Sequence, residues 1–471
     1  EVLGEDYIEQ DTAARLFLYR GDMYSEWLAY GNDAKRITQS FVAGINAFVD
    51  LTYKSPELLP EEFQALDYLP SRWSAEDVVR IRSHGLWRNV RSEVWRARLA
   101  CRSSLSLTHQ WKVLQPAWET KIPDGLDPCT IPEDVLNIYD LATRSVDFKR
   151  IQKSVEAYDL SSNNRPVFRE HLGSNNWVVS GNRTKSGRPI LADDPHRGHA
   201  VPSLRYIAHL VGPDINVIGA GEPALPGISI GHNENIAFGL TIFPIDQEDL
   251  YVYRRKGNGY EYKGKETAFK QIEEQIKVKG KNPVKRILEF TSHGPVIEKN
   301  RTHAFAVGAA WLLPGMAPYF GSIEYMRAKD FRTFIGALNR WGAPSENQVY
   351  ADIEGNIGYK PAGRFPNRPN WDGLLPVPGN GTYEWDGFFD MDVLPEEYNP
   401  ERGFTGTANA LSLPANYPIE KYKVGFEWSA PWRHQRLWEV LEGQPQHTIS
   451  DSISLQTDYL SILAREIISQ L

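Results

Sequence analysis

The chain has 471 residues, of which 41% are hydrophobic and 24% are charged. These ordinary values predict a globular protein with a sizeable core, long enough for roughly three domains. Lys and Arg number 52 against 60 Asp and Glu, for a net charge of −8. That balance argues against a nucleic-acid partner, because binding a phosphate backbone needs a basic face. No run of 18 apolar residues occurs, so we predict no membrane span.

Helical patterns dominate the first 150 residues. Residues 32–49 place apolar side chains at helical spacing. Ser74 and Asp77 match a capping box, in which an acidic residue follows a hydroxyl residue by three positions. This predicts the start of a long amphipathic stretch that continues through Leu99.

From residue 174 onward the pattern changes to short apolar runs separated by Gly, Asn, Pro and Asp. This spacing predicts a large, mainly antiparallel sheet system, interrupted by a helix over 328–341 and containing a hairpin over 350–359. Residues 450–471 predict one helix that reaches the last residue without a stop signal. We therefore expect the chain to be part of a longer protein.

The two cysteines, Cys101 and Cys129, are too few for a disulfide scaffold and lack metal-ligand spacing. They either pair with each other in an oxidising compartment or are two unrelated thiols. The sequence leaves both alternatives open.

One motif points to a conventional serine hydrolase. The segment from Gly227 to Gly231 fits G-x-S-x-G, with Ser229 as its serine. That motif needs a strand before it and a helix after it. Here Pro226 precedes it closely and the following residues predict a turn into another strand, so the nucleophile elbow is disfavoured.

A second serine, Ser174, lies at the switch from helical to sheet pattern and follows Gly173. By itself such a serine is usually a turn residue. A serine freed at a chain N-terminus, however, carries its own general base, because an α-amino group has a pKa of ~7.7–8.0. A preceding glycine allows the strained backbone that an N-to-O acyl shift requires.

Separated blocks along the chain make it resemble the penicillin acylases, which are N-terminal-nucleophile hydrolases. These blocks are Gly173–Gly181, Ala192–His196, Pro226–Gly227, Gly231–Asn233, Ala237–Gly239, Asp352–Tyr359, Leu375–Gly379, Asn399–Pro400, Gly403–Asn409 and Trp432–Arg433. In that family a precursor cuts itself into a helical α-chain and a sheet-rich β-chain that begins with the nucleophile. The resemblance implies cleavage between Gly173 and Ser174, with an α-chain region over 1–150, a spacer over 151–173 and a β-chain over 174–471.

The fold that the resemblance implies is α+β, a four-layer αββα sandwich with a helical α-chain wrapped around it. By the same resemblance, we expect the chain to lack the opening strands of the family, before Glu1, and a long β-chain remainder, after Leu471.

The resemblance also implies catalytic roles. Ser174 is the expected nucleophile, and its own α-amine is the expected general base, acting through a water. Asn409 matches the asparagine whose side chain donates to the oxyanion, and Ile242 lies where a backbone N–H is the second donor. Arg433 matches the arginine that orients this region.

Three further positions bear on the substrate. His196 falls beside the nucleophile, and the histidine there is similar to cephalosporin acylases and acyl-homoserine-lactone acylases; alternatively it is a core or turn histidine. Arg197 and Ile230 match positions that line the acyl pocket. Because the family usually has an apolar residue at the position of Arg197, either this side chain turns away or the acyl group carries polarity or negative charge.

Members of the family often bind a structural calcium, and Glu93, Asp246 and Asp249 match its carboxylate ligands. Three hard oxygen ligands from distant segments suit Ca²⁺, which takes 6–8 of them. Glu420 and Lys421 compete for the place of a further acidic ligand. No organic cofactor is implied.

The implied function is hydrolysis of a linear acyl amide in a small molecule, either a penicillin, a cephalosporin or a related N-acyl substrate, or an acyl-homoserine lactone. The implied product of self-cleavage is an α/β heterodimer in the periplasm or outside the cell. Two rival predictions are a Ser-His-Asp hydrolase built on Ser229 and a non-catalytic relative or uncleaved precursor fragment.

Overall fold

The computed structural model describes residues 1–82, 89–144, 146, 173–197 and 203–471. The predicted spacer, residues 151–173, lies outside these ranges except for Gly173. None of the helices in the described ranges has the length and apolarity needed to cross a bilayer.

Helices are the main regular elements in the described part of the chain before residue 150. Its helices are α1 (Ile8–Leu16), α2 (Met23–Leu28), α3 (Ala34–Lys54), α4 (Glu61–Ala65), α5 (Ala75–Arg80), α6 (Val90–Arg102), α7 (Thr108–Trp111) and α8 (Asn137–Thr143). The helix predicted over 32–49 is α3. The capping box of Ser74 and Asp77 is confirmed at the start of α5, where each side chain bonds to the main-chain N–H of the other. The predicted long stretch through Leu99 is not one helix, because α5 ends at Arg80 and Ile81 forms a β-bridge with Leu18.

Strands begin at residue 174. They are β1 (Ser174–Val179), β2 (Ile190–Pro195), β3 (Tyr206–Gly212), β4 (Ile215–Gly221), β5 (Ile230–Asn233), β6 (Ile236–Ile242), β7 (Glu248–Lys256), β8 (Gly259–Tyr262), β9 (Lys265–Thr267), β10 (Lys270–Ile276), β11 (Val284–Phe290), β12 (Val296–Lys299), β13 (His303–Ala309), β14 (Glu346–Asp352), β15 (Ile357–Ala362), β16 (Phe365–Pro366), β17 (Val377–Pro378), β18 (Phe388–Phe389), β19 (Glu397–Tyr398) and β20 (Phe404–Thr407). Between and after them lie α9 (Ser322–Tyr325), α10 (Phe331–Leu338), α11 (Trp432–Gly443), α12 (Ile449–Gln456) and α13 (Ile462–Ile468).

Two antiparallel sheets face each other at the centre. One has the order β2-β1-β20, and the other has the order β19-β15-β14-β6-β5-β4-β3. Val178 of the first sheet packs against Val349, Ala351 and Ile357 of the second. The hairpin predicted over 350–359 is confirmed in β14 and β15, whose turn holds Gly355 at φ +100°, a conformation that favours glycine.

Helices cover both outer faces of this pair of sheets. Trp177 of β1 packs against Leu437 and Leu441 of α11, while Phe238 of β6 packs against Phe334 of α10 in a larger core. The order helix, sheet, sheet, helix confirms the predicted four-layer sandwich.

The helical part docks on a third sheet of order β12-β13-β7-β8-β9. Val94 of α6 and Tyr139 of α8 share an apolar core with Leu250 of β7 and Phe305 of β13. Cys101, in α6, forms a disulfide with Cys129, so the pairing alternative is the one that the structure contains.

The prediction of one helix over 450–471 is wrong. The segment forms α12 and α13, separated by residues 457–461. Asp458 explains the break, because it pairs with Arg436 of α11 and accepts a hydrogen bond from the N–H of Leu460. The helix predicted over 328–341 is shorter in the structure, where Asp330 caps the start of α10.

Candidate active site

Ser174 is the first residue of β1, the central strand of the three-stranded sheet, and it is fully buried. Its Oγ donates a hydrogen bond of 2.6 Å to the carbonyl oxygen of Gly173. The same oxygen accepts the main-chain N–H of His196 at 2.9 Å. The peptide bond between Gly173 and Ser174 therefore lies beside a hydroxyl nucleophile, with its carbonyl held by a backbone donor.

Asn409 reaches this junction from the loop after β20. Its backbone has φ +64°, a left-handed conformation that asparagine tolerates better than most residues. Its Oδ1 accepts the N–H of Ser174 at 2.7 Å, and its Nδ2 donates to the carbonyl oxygen of Ile242 at 3.1 Å. These two bonds fix which end of the side-chain amide points to the serine.

Arg433, in the first turn of α11, holds the same residues from another side. Its Nη1 donates to the carbonyl oxygen of Ser174 at 3.0 Å and to Oδ1 of Asn175 at 2.7 Å. Its Nη2 donates to Oδ1 of Asn409 at 3.0 Å. One guanidinium thus positions both the serine backbone and the asparagine.

Gly173 lies close against the guanidinium of Arg433. A Cβ added there would lie 2.6 Å from Nη2 of Arg433 and 3.1 Å from Oδ1 of Asn409. Since real Cβ contacts are essentially never as short as 2.6 Å, a side chain at this position would push the guanidinium of Arg433 aside.

The side chain of His196 is bound away from Ser174. Its Nε2 lies 3.0 Å from Oδ2 of Asp194 and 3.1 Å from the Nδ2 of Asn175. The hydrogen bond from His196 lowers the pKa of Asp194. Among the described residues, no imidazole hydrogen-bonds to Ser174, so the contribution of His196 to the junction is its main-chain N–H.

Arg197 does not turn away from the junction. Its Nη1 lies 2.8 Å from the carbonyl oxygen of His196 and 3.5 Å from that of Gly173.

Ile242 ends β6, and its carbonyl oxygen accepts two side-chain amides, from Asn409 and from Nδ2 of Asn347 at 3.0 Å. Its N–H as an oxyanion donor stays a prediction. Asn347 is a residue that sequence reasoning missed. The feature of the sequence that could have revealed it is a polar side chain in a buried strand. Nδ2 of Asn347 also donates to Oγ1 of Thr241, which hydrogen-bonds in turn to Oγ1 of Thr407.

The G-x-S-x-G segment holds a different arrangement. Oγ of Ser229 accepts Nη1 of Arg205 at 2.7 Å, and the same Nη1 lies 3.0 Å from Oε1 of Glu222. No histidine hydrogen-bonds to Ser229 in the described ranges, and a strand rather than a helix follows it, so a triad at Ser229 finds no support. Ile230 begins β5 and packs half-buried against the main core; its place in an acyl pocket stays a prediction.

The three predicted calcium ligands come together where α6 meets β7. Oε2 of Glu93 accepts the N–H of Leu250 at 3.0 Å, while Asp246 and Asp249 both pair with the buried Arg368 at 2.8 Å. Burial and the neighbouring carboxylates Asp249 and Asp246 raise the pKa of Glu93 well above its usual range.

Glu420 and Lys421, the two candidates for the position of a further acidic ligand, are both exposed. The nearby side chain that reaches this region is Lys423, whose Nζ donates to the main-chain oxygen of Arg368 at 2.7 Å. Within the described residues, no group of three or more His, Cys, Asp or Glu side chains is arranged to hold a metal ion. Calcium stays a prediction for this chain.

Residues 1–471 match the sequence profile of the penicillin amidase family. The chain belongs to this family.

Its similarity to characterised members of the penicillin amidase family is moderate and extends along the chain. It is 26% identical to the acyl-homoserine lactone acylase QuiP of Pseudomonas aeruginosa, over 99% of this chain and 55% of that protein. It is 27% identical to the penicillin acylase 2 proenzyme of Pseudomonas sp. SE83, over 98% of this chain and 58% of that protein. It is 26% identical to penicillin G acylase of Escherichia coli, over 95% of this chain and 57% of that protein. The chain spans about half the length of the curated relatives that it matches.

Among solved structures, the thermostable penicillin G acylase from Alcaligenes faecalis superposes with a TM-score of 0.55 at 25% identity, covering 60% of this chain and 51% of that one. This likeness supports the N-terminal-nucleophile hydrolase fold that the sequence predicted.

One buried carboxyl group of this penicillin amidase family member makes its stability depend on pH. Glu346 pairs with Ile242 across β14 and β6 and is fully buried. Burial raises the pKa of Glu346 from 4.5 to about 7, although Arg197 and Arg205 oppose the shift. Because the folded-state pKa lies above the unfolded one, the stabilising contribution is complete below pH ~4.5 and is lost as the pH rises towards 7.

We therefore expect the free energy of unfolding to fall by about 2–3 kcal/mol more between pH 5 and pH 8 in the unmodified protein than in Glu346→Gln. Urea unfolding at both pH values measures this. The exposed Glu420→Gln serves as the control and should behave like the unmodified protein. Equal pH dependence in the unmodified protein and Glu346→Gln would contradict the prediction.

Proposed function

We propose that the protein hydrolyses a linear acyl amide to a carboxylic acid and an amine, with Ser174 as an N-terminal nucleophile. The observation that supports this most strongly is the convergence of Asn409, Arg433 and the main chain of His196 on one buried Gly–Ser junction. Relatives named as penicillin and acyl-homoserine lactone acylases support the same reaction class.

On this proposal the first step is self-cleavage. Oγ of Ser174 attacks the carbonyl carbon of Gly173, the C–N bond to Ser174 breaks, and the proton from Oγ ends on the released nitrogen. Negative charge on the carbonyl oxygen is stabilised by the N–H of His196, at 2.9 Å, and by Nη1 of Arg197, at 3.5 Å. Water then hydrolyses the ester, leaving a carboxylate on Gly173 and a free hydroxyl and α-amine on Ser174.

The crowding at Gly173 makes this step sensitive to a single methyl group. Gly173→Ala is expected to slow self-cleavage about 10–100-fold, because the added Cβ displaces the guanidinium of Arg433 that also holds Asn409. Gly44→Ala is the matched control, since no atom lies within 4 Å of a Cβ placed there. The fraction cut over time on a denaturing gel gives both rates, and equal rates would contradict the prediction.

The freed amine of Ser174 is then the general base for substrate hydrolysis. Oδ1 of Asn409 is placed to hold it, and the nearby charge of Arg433 favours its neutral, proton-accepting form. Oγ attacks the substrate carbonyl, the amine product leaves with the proton that the α-amine passes on, and water hydrolyses the acyl-enzyme ester.

During substrate hydrolysis, the oxyanion that forms in acylation and again in deacylation is bound by Nδ2 of Asn409 and the N–H of Ile242. In the uncut chain this Nδ2 donates to the carbonyl oxygen of Ile242. Because Asn347 donates to the same carbonyl, that oxygen keeps a partner when Asn409 turns its donor to the oxyanion. The asparagine is therefore free to move without leaving a buried acceptor unpaired.

For the substrate, we propose an acyl group with a polar or negatively charged end. Arg197 lies at the junction. Arg205 contacts Ser229 and Glu222 through Nη1, and its buried Nε and Nη2 have no hydrogen-bond partner among the described residues. A penicillin or cephalosporin side chain of this kind is the first candidate. An acyl-homoserine lactone is the second, supported by the relatives that carry that name.

The proposed product of self-cleavage is an α/β heterodimer, held together by the core that α6 and α8 share with β7 and β13. The proposed location is the periplasm or the cell exterior, since disulfides such as Cys101–Cys129 persist in oxidising compartments.

Two matched chromogenic amides test the proposed function. The protein as the cell makes it is assayed with N-hexanoyl and N-adipyl p-nitroanilide, which have six-carbon acyl chains ending in a methyl and a carboxylate. Release of nitroaniline, with faster turnover of the adipyl amide, is the expected result, and Ser229→Ala is expected to retain it. A protein that cuts itself but hydrolyses neither amide, nor penicillin G, nor N-hexanoyl-homoserine lactone, would count against the proposal.

A further inference from the structure

A buried ionic cluster fastens α6 to β7. It contains the carboxylates of Glu93, Asp246 and Asp249, which are 0%, 4% and 0% exposed. Glu93 belongs to the helical part of the chain, and the two aspartates belong to the sheet-rich part. Carboxylates brought together in a dry interior need a compensating cation.

The guanidinium of Arg368 lies among these groups and is completely buried. Its Nε lies 2.8 and 3.2 Å from the two carboxylate oxygens of Asp249, and its Nη2 lies 2.8 Å from Oδ1 of Asp246. Its Nη1 donates to the main-chain oxygen of Asp246 at 3.3 Å, and its Nη2 donates to that of Glu248 at 3.2 Å. All three guanidinium nitrogens thus donate hydrogen bonds.

This arrangement leaves no place for a calcium ion. Ca²⁺ needs 6–8 oxygens at 2.3–2.6 Å. Both carboxylate oxygens of Asp249, Oδ1 of Asp246 and the main-chain oxygens of Asp246 and Glu248 already accept N–H groups of Arg368. Oε2 of Glu93 accepts the N–H of Leu250, so Oε1 of Glu93 is the one oxygen of that side chain without a hydrogen-bond partner among the described residues. The two carboxylate oxygens of Asp249 accept further hydrogen bonds, from the indole N–H groups of Trp371 and Trp385 at 3.0 and 2.6 Å. A divalent ion placed here would also lie against the positive charge of Arg368.

We propose that Arg368 is a built-in cation that replaces a metal ion at this site and holds the helical part of the chain against the sheet. The contacts next to the cluster are the ones it secures. The N–H of Val90 donates to Oε2 of Glu248 at 3.1 Å, and Oδ1 of Asn89 accepts the N–H of Gln247 at 3.1 Å. The inference is independent of the nucleophile, because these contacts belong to a different part of the molecule from Ser174.

Thermal unfolding and metal analysis test the inference on the unmodified protein. The melting temperature is expected to differ by less than about 1 °C between 5 mM EDTA and 5 mM CaCl₂, because only a ligand bound to the folded state shifts it. Elemental analysis of the dialysed protein is expected to find no stoichiometric calcium. A melting temperature that falls in EDTA and recovers with calcium, or one calcium retained per chain, would overturn the inference.

Substitution of the arginine supplies a second test. Arg368→Met is expected to lower the melting temperature by about 5–10 °C, because it leaves buried carboxylates without their cation. Arg332→Met, at an exposed arginine of α10, is the matched control and should change little. Equal melting temperatures for the two variants would overturn the inference; if Arg368→Met does not fold, the chelation measurement still decides.

Discussion

Replacing Ser174 with alanine is expected to reduce the kcat for amide hydrolysis by about 10⁴-fold or more, because it removes the only nucleophile at the junction that the proposed mechanism uses. The side chain is fully buried, and its Oγ donates a hydrogen bond to the carbonyl oxygen of Gly173. Alanine keeps the backbone N–H that donates to Asn409, so the fold should be retained. Progress curves with a chromogenic amide give the rate.

The matched control is Ser229→Ala, which removes the other candidate serine. Ser229 is equally buried and hydrogen-bonded, in its case to Arg205. Loss of activity in Ser229→Ala together with full activity in Ser174→Ala would transfer the reaction to the conventional serine hydrolase alternative.

Removing the side chain of Asn409 is expected to lower kcat by about 10²–10³-fold, the usual effect of deleting one oxyanion donor. Glycine is the appropriate replacement, because the backbone at Asn409 has φ +64° and alanine would add strain of its own. The measurement is kcat and KM for the cleaved enzyme, with KM expected to change much less than kcat.

Asn399→Gly provides the control for the backbone effect. Asn399 also has positive φ, at 48°, but lies on the surface at the end of β19 and makes no contact with Ser174 or Arg433. If both variants lose the same amount of activity, the loss at position 409 is structural and the assignment of Asn409 as a donor is contradicted.

The parts of the structure that depend on near neighbours were predictable. The capping box of Ser74 and Asp77 and the hairpin at Gly355 are set by residues a few positions apart, and both occur as expected. The prediction of one helix over 450–471 was wrong because the structure there depends on a residue far away in the sequence. The break depends on Arg436, 22 residues before Asp458, and no local pattern reveals that ion pair.

The site was predictable only through the resemblance to a family. Ser174 lies 235 residues from Asn409 and 259 from Arg433, and no periodicity connects residues so far apart. The order of matching blocks predicted their convergence, which the geometry now displays. Arg368 was missed because it is one arginine in a proline-rich segment, and its importance follows only from carboxylates about 120 residues away.

Intact mass measurement with N-terminal sequencing shows whether Ser174 becomes the first residue of a separate chain. It is made on the protein as the cell produces it, beside Ser174→Ala prepared in the same way. A second chain that begins Ser-Asn-Asn-Trp is expected in the unmodified protein only. An uncut, folded and active chain in the unmodified protein would contradict it, because the α-amine on which the mechanism depends would not exist.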